Sequence, residues 1–382
     1  MNICLLSSTY FPFIGGLEFV VHNLATALSN LGHSVYIVTP YPYFRKVIDD
    51  NYNYKVIRFG FRGCGKLRMT PAAAVAKLAY VSKKYHIEII NVQNVFRAGS
   101  WSYYFSLFTK SIPIIGTPHG DDIQITPEIN DGRRLNARFD KIIRRNLSVF
   151  DRITAISPSI RSDLYGLVRN KNIIYDVPNG IWVESYQKNA DVIAVRKRFG
   201  IPLNSTVIIS IGRNHPRKGF NVGLDAIVKL KNEGFFITYL LVGRDMEPII
   251  ERSKKLSVFD CLITPGQVDT SVIAELLRSS DIYLSPSIVE SFGLATLEAM
   301  SAGLPCVVTD VPGSRDLVSP HIGILANPNN PENISLALKF LIENPSIAKA
   351  MGEKARSKAA SYDWTNIANQ YLHVYNRALH SN

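Results

Sequence analysis

The chain has 382 residues, of which 46% are hydrophobic and 19% charged, and its formal net charge is +12. This composition excludes a disordered, low-complexity or collagen-like chain, and the length predicts two domains. No apolar run is long enough to span a bilayer, the N-terminus lacks the pattern of a signal peptide, and the four cysteines form no C-x-x-C pair. We therefore expect a reduced, cytoplasmic protein.

Short β-branched runs alternate with segments of helical periodicity through the first half of the chain. The predicted strands are residues 2–7, 35–39, 55–59, 87–92, 112–117, 152–155 and 173–177. Helical patterns occupy residues 17–31, 71–85, 133–150 and 158–168. The turn sequence Pro178-Asn179-Gly180 follows the last of these strands and predicts a domain boundary.

The second half restarts the same alternation, with predicted strands at residues 207–212, 237–243, 261–264, 282–285 and 306–309. Runs such as VIISIG and TYLLVG are apolar on both faces, which is typical of parallel strands covered by helices on both sides. The sequence thus predicts an α/β protein with two doubly wound, Rossmann-like domains, residues 1–178 and 179–363, facing a central cleft. Ligands of such sheets bind beyond the carboxyl ends of the strands, so residues at those ends are the candidates for a functional site.

The positive charge is concentrated in the first half. Residues 1–175 carry 22 Lys and Arg against 11 Asp and Glu, whereas residues 176–382 carry 21 against 20. Two stretches hold much of it: Lys55, Arg58, Arg62, Lys66, Arg68, Lys77, Lys83 and Lys84, and then Arg133, Arg134, Arg138, Lys141, Arg144 and Arg145. On a helix, positions 134, 138, 141 and 145 share a face, which is either solvated or in contact with an anionic membrane. No nucleic-acid recognition motif accompanies this charge, so nucleic acid is not an expected partner.

Several common motifs fail. The segment Gly60-Phe-Arg-Gly-Cys-Gly-Lys-Leu67 matches G-x-x-x-x-G-K, but Leu67 stands where a P-loop needs a Ser or Thr hydroxyl. The patterns G-x-G-x-x-G, G-x-S-x-G and H-E-x-x-H are absent. These observations disfavour a P-loop NTPase, a dinucleotide-binding enzyme, and a serine or zinc hydrolase.

Two motifs in the first half follow predicted strands. Gly15 and Gly16 come after the first strand and open a helix, where the backbone can approach an anion closely; an ordinary tight turn explains them equally well. His119 follows the strand at residues 112–117 and lies between Pro118 and Gly120, a position unlike that of a core residue. A lone histidine is weak evidence of function, so both motifs need support from elsewhere.

Two further motifs lie in the second half. The segment at residues 212–219 places Arg213, Arg217 and Lys218 between a strand end and a helix start, as phosphate-binding side chains or as a solvated basic loop. Residues 285–298 then read SPSIVESFGLATLE. We expect Ser291 in this segment to cap a helix whose first amides bind phosphate, with the two glutamates on either side of that helix start.

Together these features resemble the family-4 retaining glycosyltransferases with the two-domain GT-B fold (glycosyl transferases group 1). The resemblance covers essentially the whole chain: G-G-x-E near the N-terminus, the strand-end histidine, R-x4-K, V-G-R, and ESFGLATLEAMSAGLP followed by TDVPG. The closing D-W-x3-A-x3-L-x2-Y pattern also matches. Many relatives carry a glycine pair where this chain has Pro312-Gly313.

The resemblance implies roles for individual residues. The second domain would bind a nucleotide-diphosphate sugar, and the helix of residues 364–382 would pack back on the first, acceptor-binding domain. The implied catalytic residues are His119 beside the reacting sugar, Arg213 and Lys218 on the diphosphate, and Glu290 on the sugar hydroxyls. The implied donor-binding residues are Gly16, Gly212, Gly243, Gly266, Val268, Ser291, Phe292, Gly293, Leu294 and, at the ribose, Glu298.

The same resemblance implies retention of configuration by front-face displacement. No metal or other cofactor is expected, because Arg213 and Lys218 would neutralise the leaving diphosphate. The donor would be a UDP- or GDP-sugar, and the acceptor a saccharide or lipid-linked saccharide of the cell surface, such as a lipopolysaccharide. The basic first half would then meet the acceptor at the inner face of the cytoplasmic membrane. The alternative within the same fold is a nucleotide-sugar epimerase or hydrolase.

Overall fold

The computed structural model describes residues 1–42, 51–60 and 70–380 of the chain. They form two compact units, one made of Met1–Gly180 with Trp364–Asn382 and the other of Ile181–Asp363. The P-loop-like motif lies outside the described residues from position 61 onward. Each unit is an α/β layer structure, as the alternation of strand and helix patterns predicts.

The first unit is built on a parallel sheet. Its described strands are β1 (Asn2–Ser7), β2 (Ser34–Pro40), β3 (Lys55–Phe59), β4 (Ile89–Gln93), β5 (Ile114–Thr117), β6 (Arg152–Ala155) and β7 (Ile174–Asp176). They lie in the order β3-β2-β1-β4-β5-β6-β7, and every pairing is parallel. Strand order reverses between β1 and β4, so the carboxyl ends of these two strands flank the crevice in which ligands of this architecture bind.

Helices cover the first sheet: α1 (Gly16–Asn30), α2 (Pro71–Lys84), α3 (Arg97–Ser106), α4 (Ala137–Leu147) and α5 (Pro158–Tyr165). Three of them begin at a side-chain cap, because the hydroxyls of Thr70 and Ser157 and the amide of Asn136 accept from first-turn N–H groups. Proline follows the cap in α2 and α5, where its missing N–H is not needed.

The second unit repeats this architecture. Its described strands are β8 (Thr206–Ile211), β9 (Ile237–Val242), β10 (Leu262–Gly266), β11 (Ile282–Ser285), β12 (Cys306–Thr309) and β13 (Gly323–Ala326). They lie in the order β10-β9-β8-β11-β12-β13, again all parallel, with the reversal between β8 and β11. The helices are α6 (Val183–Gln187), α7 (Val192–Arg198), α8 (Phe220–Asn232), α9 (Glu247–Lys255), α10 (Thr270–Arg278), α11 (Leu294–Ala302), α12 (Pro312–Leu317), α13 (Pro331–Glu343) and α14 (Pro345–Ala359).

The last helix, α15 (Trp364–Leu379), belongs to the first unit and contacts α1. Its apolar face is fully buried, including Trp364, Tyr371 and Tyr375. A Cβ atom at Gly180 would lie 2.7 Å from the Trp364 ring, so a glycine is needed there for the close approach. Nowhere in the described parts of the chain is a helix long and apolar enough to cross a membrane.

The predicted doubly wound α/β class is confirmed, and two local expectations differ. Strand β13 is not in the predicted set, because its sequence, GILA, begins with glycine and ends with alanine, which are both uncommon in strands. The helix predicted from residue 133 begins at Ala137, since Asn136 caps it. Arg134 therefore precedes the helix, where its Nε donates to Asp140 at 2.6 Å. The prediction that positions 134, 138, 141 and 145 share one helix face is therefore wrong for Arg134.

Helix α14 closes the C-terminal end of α11, the helix that follows Glu290. Arg356 donates to the carbonyl of Ala302 at 2.9 Å, and Gly352 lies against the α11 C-cap. A Cβ atom at position 352 would lie 2.1 Å from the Gly303 carbonyl oxygen. The two helices can pack this closely only because Gly352 has no side chain.

We predict that Gly352→Ala destabilises the protein by about 1–3 kcal/mol, the usual cost of overpacking, although alanine favours a helix. Urea unfolding followed by circular dichroism measures the change. Gly166→Ala is the control, because a Cβ there meets its nearest atom, the Asp163 carbonyl oxygen, at an ordinary 3.6 Å. Equal stability of the Gly352 and Gly166 variants would contradict the packing argument.

Candidate active site

In the first unit, polar side chains follow β4 and β5 at the carboxyl edge of the sheet. His119 Nε2 lies 2.7 Å from Gln93 Oε1. Gln93 in turn donates its amide N–H to Asn91 Oδ1, and Asn91 donates to Thr117 Oγ1 at 3.0 Å. Thr117 and Thr154 share a further hydrogen bond of 2.7 Å. This chain of bonds extends from the buried interior of the sheet to the imidazole.

The chain of hydrogen bonds fixes the state of the imidazole. Because Gln93 presents a carbonyl oxygen, His119 Nε2 carries the proton and Nδ1 keeps its lone pair. Burial lowers the pKa of His119 to about 4, against the opposing influence of Asp121. His119 is therefore neutral at physiological pH, with Nδ1 as a hydrogen-bond acceptor.

The loop that carries His119 is held by a buried carboxylate. Asp122 accepts backbone N–H groups from Val95 at 2.7 Å, His119 at 3.0 Å and Gly120 at 3.1 Å. Burial and the neighbouring Asp121 raise its pKa to about 7, although the bonds from Val95 and His119 lower it. Asp122 thus ties the loop after β5 to the loop after β4.

The glycine pair after β1 opens helix α1 as the sequence indicates. Gly15 is the extended N-cap and Gly16 is the first helical residue, which is exposed. The buried Glu18 folds back over this turn, so that a Cβ at Gly15 would lie 2.8 Å from its carboxylate. Gly16 and His119 thus lie on the loops after β1 and β5, two strands that both border β4.

In the second unit, an ion pair lies beside the point where strand order reverses. Lys218 Nζ and Glu290 Oε2 are 2.7 Å apart, and their side chains are 30% and 14% exposed. Lys218 follows β8 and Glu290 follows β11, so the pair joins the loops of two neighbouring strands. The alkyl chain of Lys218 passes beside Gly212, where a Cβ atom would meet it at an ordinary 3.5 Å.

Backbone contacts fix the loops that carry this pair. The N–H groups of Ile288 and Val289 donate to the carbonyl of Arg217, at 2.7 and 3.3 Å. Gly219 has a φ of +61°, and a Cβ there would lie 2.0 Å from the Pro286 carbonyl oxygen. Only glycine fits this conformation at this distance, so the two loops are locked in register.

The charges around the pair are strongly coupled. Burial disfavours ionisation of Glu290, but Lys218 and Arg217 outweigh it and hold the pKa of Glu290 below its ordinary value. Arg213 is exposed and has no hydrogen bond or ion pair with any residue that the structure describes. Lys218 is therefore engaged with Glu290, whereas the Arg213 guanidinium points to no protein partner within that part of the chain.

Three strands of the second sheet end in glycine. Gly212, Gly243 and Gly266 follow or close β8, β9 and β10, and each has a positive φ. Gly243 donates to the Gly266 carbonyl at 2.9 Å, and a Cβ at Gly243 would lie 1.9 Å from the Gly212 carbonyl oxygen. These residues form a ledge of bare backbone, which we call the glycine ledge. The half-buried Val268 lies two residues beyond it along the chain.

The start of helix α11 corrects one expectation. Gly293, with a φ of +97°, is the N-cap, and no side chain caps the helix. Ser291 therefore is not the predicted cap, because the chain needs the left-handed conformation that glycine adopts at that turn. Leu294 is the first helical residue and is half-buried. Phe292 is buried and packs near Tyr362, with ring centroids 6.1 Å apart.

Gly313 of the TDVPG segment supports the same loop. Its N–H donates to the Glu290 carbonyl at 3.0 Å. A Cβ at Gly313 would lie 2.6–2.7 Å from backbone atoms of residues 290–292. The glycine of this segment is thus required for packing against the loop that presents Glu290.

Glu298, one turn into α11, is the second predicted carboxylate. It accepts a hydrogen bond from Tyr186 of α6. Burial raises the pKa of Glu298 to about 7, and the tyrosine hydrogen bond opposes that rise. The side chain is therefore poised to ionise near neutral pH.

Sequence reasoning missed two residues of this arrangement. Gln93 ends β4 and directly follows the predicted strand at residues 87–92, so the rule that polar residues at strand ends are candidates, applied to this strand, would have found it. Tyr186 lies on a five-residue helix with no detectable pattern. Within the described residues, no group of three or more His, Cys, Asp or Glu side chains is arranged to hold a metal ion.

Known proteins match both halves of the chain. The family model for Glycosyltransferase Family 4 matches residues 14–185, and the model for Glycosyl transferases group 1 matches residues 191–358. The N-acetyl-alpha-D-glucosaminyl L-malate synthase of Bacillus anthracis is 26% identical over 96% of this chain and 95% of its own length. The alpha-monoglucosyldiacylglycerol synthase of Streptococcus pneumoniae is 25% identical over 84% of this chain and 73% of its own.

A solved structure shows the same fold. The Anabaena protein Alr3699/HepE, crystallised in complex with UDP, superposes with a TM-score of 0.82 at 19% identity, over 98% of this chain and 99% of that one. With one family model on each unit, the two models together span most of the sequence. The chain belongs to the GT-B glycosyltransferases, with a family 4 domain followed by a glycosyl transferases group 1 domain.

Proposed function

We propose that this glycosyltransferase moves a hexosyl-type sugar from a nucleotide-diphosphate sugar to a saccharide or lipid-linked saccharide of the cell surface. The proposal includes retention of configuration and independence from metal. The Lys218–Glu290 ion pair at the strand reversal of the second sheet is the observation that carries it. A cation and a carboxylate held together at that point suit a ligand with a diphosphate and sugar hydroxyls.

The donor chemistry assigns complementary roles to the charged residues. Breaking the bond between the sugar and the diphosphate moves negative charge onto phosphate oxygens. Lys218 and Arg213 stabilise that charge. Such electrostatic stabilisation by fixed cations is usually the largest single contribution to catalysis. The first amides of α11, at Leu294 and beyond, and those of Phe292 and Gly293 donate to phosphate and sugar oxygens.

The carboxylates then bind hydroxyl groups. Glu290 is held ionised by its neighbours, so it accepts hydrogen bonds from the donor sugar. Glu298 accepts from the ribose, and Ser291 and Val268 lie along the same donor-binding segments. The glycine ledge of Gly212, Gly243 and Gly266 offers backbone groups to the base. Gly16, at the exposed start of α1, contacts the diphosphate or the acceptor.

Retention follows from a front-face displacement. The acceptor oxygen forms its bond to the anomeric carbon on the side from which the diphosphate departs, and the leaving phosphate oxygen takes the acceptor proton. His119, neutral and with Nδ1 as an acceptor, binds a hydroxyl of the reacting sugar. An alpha-linked product made from an alpha-linked nucleotide-sugar is a retained one, and the names of both relatives print an alpha-linked sugar.

The acceptor proposal rests on charge and on a relative's name. The first unit holds most of the excess positive charge, and the Streptococcus pneumoniae relative is named for a glucosylated diacylglycerol. In the described residues this basic surface includes the lysines of α2 and the exposed Arg138 and Lys141 of α4, whereas Arg58 is buried against the Phe11 carbonyl and Arg145 stacks on Tyr103. We propose peripheral contact with the cytoplasmic membrane through this surface.

The proposal is tested first with a screen of UDP- and GDP-sugars, followed by product analysis with EDTA present throughout. Lys218→Ala should lower kcat/KM by about 100-fold or more, because a fixed cation is lost at the leaving group. Lys339→Ala is the matched control, since that lysine pairs with Glu233 at the same 2.7 Å on an exposed surface. Loss of activity in EDTA that magnesium restores would contradict metal independence.

A double variant separates catalysis from stability. Lys218→Ala leaves the Glu290 charge unpaired and destabilises the protein at neutral pH. The pKa of Glu290 is lowered in the wild type, so its stabilising contribution is present above its unfolded pKa and is lost as the pH falls through its folded pKa. The stability deficit should therefore shrink in acid. Adding Glu290→Gln should restore stability but not turnover; recovered turnover would remove the pair from the donor site.

The Glu298 carboxyl predicts a pH dependence of donor binding. Its pKa is raised to about 7, so the neutral form dominates below that pH, whereas ribose hydroxyls donate best to the ionised form. Calorimetric affinity for the donor found in the screen should rise by about tenfold or less between pH 6 and 8. Glu298→Gln should abolish the dependence, and Tyr186→Phe should move its midpoint upward. A nucleotide-sugar is the right probe, because its diphosphate diester does not titrate in this range.

Gln93 is predicted to set the tautomer of His119. Gln93→Leu removes the acceptor for Nε2–H and so releases the tautomer in which Nδ1 accepts, and kcat/KM should therefore fall by about tenfold or more. Gln93→Glu should raise the pKa of His119 from about 4, and ¹⁵N NMR of the imidazole measures both effects. Gln370→Leu, on the exposed face of α15, is the control. An unaltered imidazole ¹⁵N spectrum in both Gln93 variants would contradict this role.

A further inference from the structure

The first unit contains a groove that the proposed chemistry does not use. It lies between α2 and the segment from α3 to Ile112, and its volume is about 760 Å³. Its floor is almost entirely apolar and is made of small and aromatic side chains: Ala72, Val75, Ala76, Ala79, Phe105 and Phe108. A volume of this size is typical of small-molecule sites. The groove is open to the surface, so its apolar floor faces solvent.

Large apolar side chains project beside the groove. Leu107 and Phe108 directly follow α3 and are 61% and 80% exposed, and Tyr80 on α2 is 51% exposed. Neighbouring apolar residues with this exposure are costly in water and mark a surface that meets something apolar. The groove and these residues together form one continuous feature, which we call the α2–α3 surface.

The two segments that form the α2–α3 surface carry charge of a single sign. Residues 70–87 and 95–112 contain Lys77, Lys83, Lys84, Arg97 and Lys110, and no Asp or Glu. Lys83 lines the groove itself. Lys84 donates to the Tyr80 hydroxyl at 2.8 Å, and the Lys77 ammonium lies 5.3 Å from the Tyr80 ring centroid. An apolar groove with a purely cationic border matches an amphiphile with an anionic head.

We propose that the α2–α3 surface binds an acyl chain of an anionic membrane lipid, with Leu107 and Phe108 inserted among neighbouring chains. The lysines contact the lipid phosphates. One apolar anchor gives only marginal membrane binding, and stable attachment needs a second signal such as a basic cluster; this surface has both. A second copy of the chain is a poor occupant, because pairing of the same surfaces would bring like charges together.

This inference deepens the proposed membrane acceptor and rests on that part of the proposed function. It adds that the membrane is bound by an apolar site and not by charge alone. The consequence is that part of the attachment survives high salt, which screens the lysines but not the buried apolar contact. The donor chemistry in the second unit does not depend on it.

The proposal is tested with vesicles of phosphatidylcholine, prepared with and without about 30% phosphatidylglycerol as the anionic lipid. We expect the full chain to bind the anionic vesicles and to retain measurable binding at high salt. Leu107→Ser with Phe108→Ser should weaken the partition coefficient by about tenfold or more. Ala76→Trp, which fills the groove from an exposed position, should do the same. Leu336→Trp, at a 53% exposed position on α13, is the matched control.

Depth of insertion gives an independent readout. Phe108→Trp should be quenched by phosphatidylcholine with brominated acyl chains in the same anionic vesicles, whereas Phe340→Trp on α13 should not. Circular dichroism and turnover of a donor with water or a soluble sugar check that each variant is folded and active. These activities do not involve the α2–α3 surface, so loss of vesicle binding with normal donor turnover separates this inference from the donor proposal.

Two results would overturn the inference. Binding that is unchanged in the Leu107, Phe108 and Ala76 variants and vanishes at high salt would show adsorption by charge alone. No vesicle binding, together with a dimer that Ala76→Trp dissociates in light scattering, would assign the surface to a second copy of the chain.

Discussion

The proposed donor site depends on one interaction, the ion pair of Lys218 and Glu290. Two opposite charges are held 2.7 Å apart on loops that leave neighbouring strands of a parallel sheet. Each side chain alone would be costly to bury, and together they remain charged in a partly buried position. The pair therefore presents a cation for phosphate and an anion for hydroxyls within hydrogen-bond distance of each other.

The loops around this pair are determined by backbone packing. Gly219 contacts the carbonyl of Pro286, Gly313 contacts the backbone of residues 290–292, and Gly243 contacts the carbonyl of Gly212. A side chain at any of these positions would separate the loops and so move the charges. The glycines of the sequence motifs are thus needed for the packing of these loops, and some of them also offer backbone groups in the proposed donor site. This preorganisation is what electrostatic stabilisation of a leaving group needs.

The first unit differs from the second in its electrostatics, because its strand-end histidine, His119, is kept neutral. Gln93 offers an oxygen to Nε2, and burial lowers the pKa of His119 to about 4. A neutral imidazole adds no positive charge beside a sugar and leaves one lone pair to accept a hydroxyl proton. In the second unit, by contrast, paired charges remain ionised. The proposed donor roles thus fall to a neutral imidazole in the first unit and to a charged pair in the second.

The sequence predicted the two sheets well, because long apolar strands and strand-end glycines leave clear patterns. The fold class and the assignment to glycosyltransferases are confirmed. The misses have local causes: β13 begins with glycine and ends with alanine, Arg134 precedes the helix capped by Asn136, and Gly293 replaces Ser291 as a cap. Gln93 and Tyr186 act through partners that are far away in the sequence, so no local pattern could reveal their contacts.

A crystal structure of the protein with its donor or the corresponding nucleoside diphosphate tests the central claim most directly. The account predicts diphosphate oxygens within hydrogen-bond distance of Lys218 Nζ and of the Arg213 guanidinium, with sugar hydroxyls on the Glu290 carboxylate. A diphosphate bound elsewhere, with Lys218 and Glu290 still paired and out of its reach, would contradict the account.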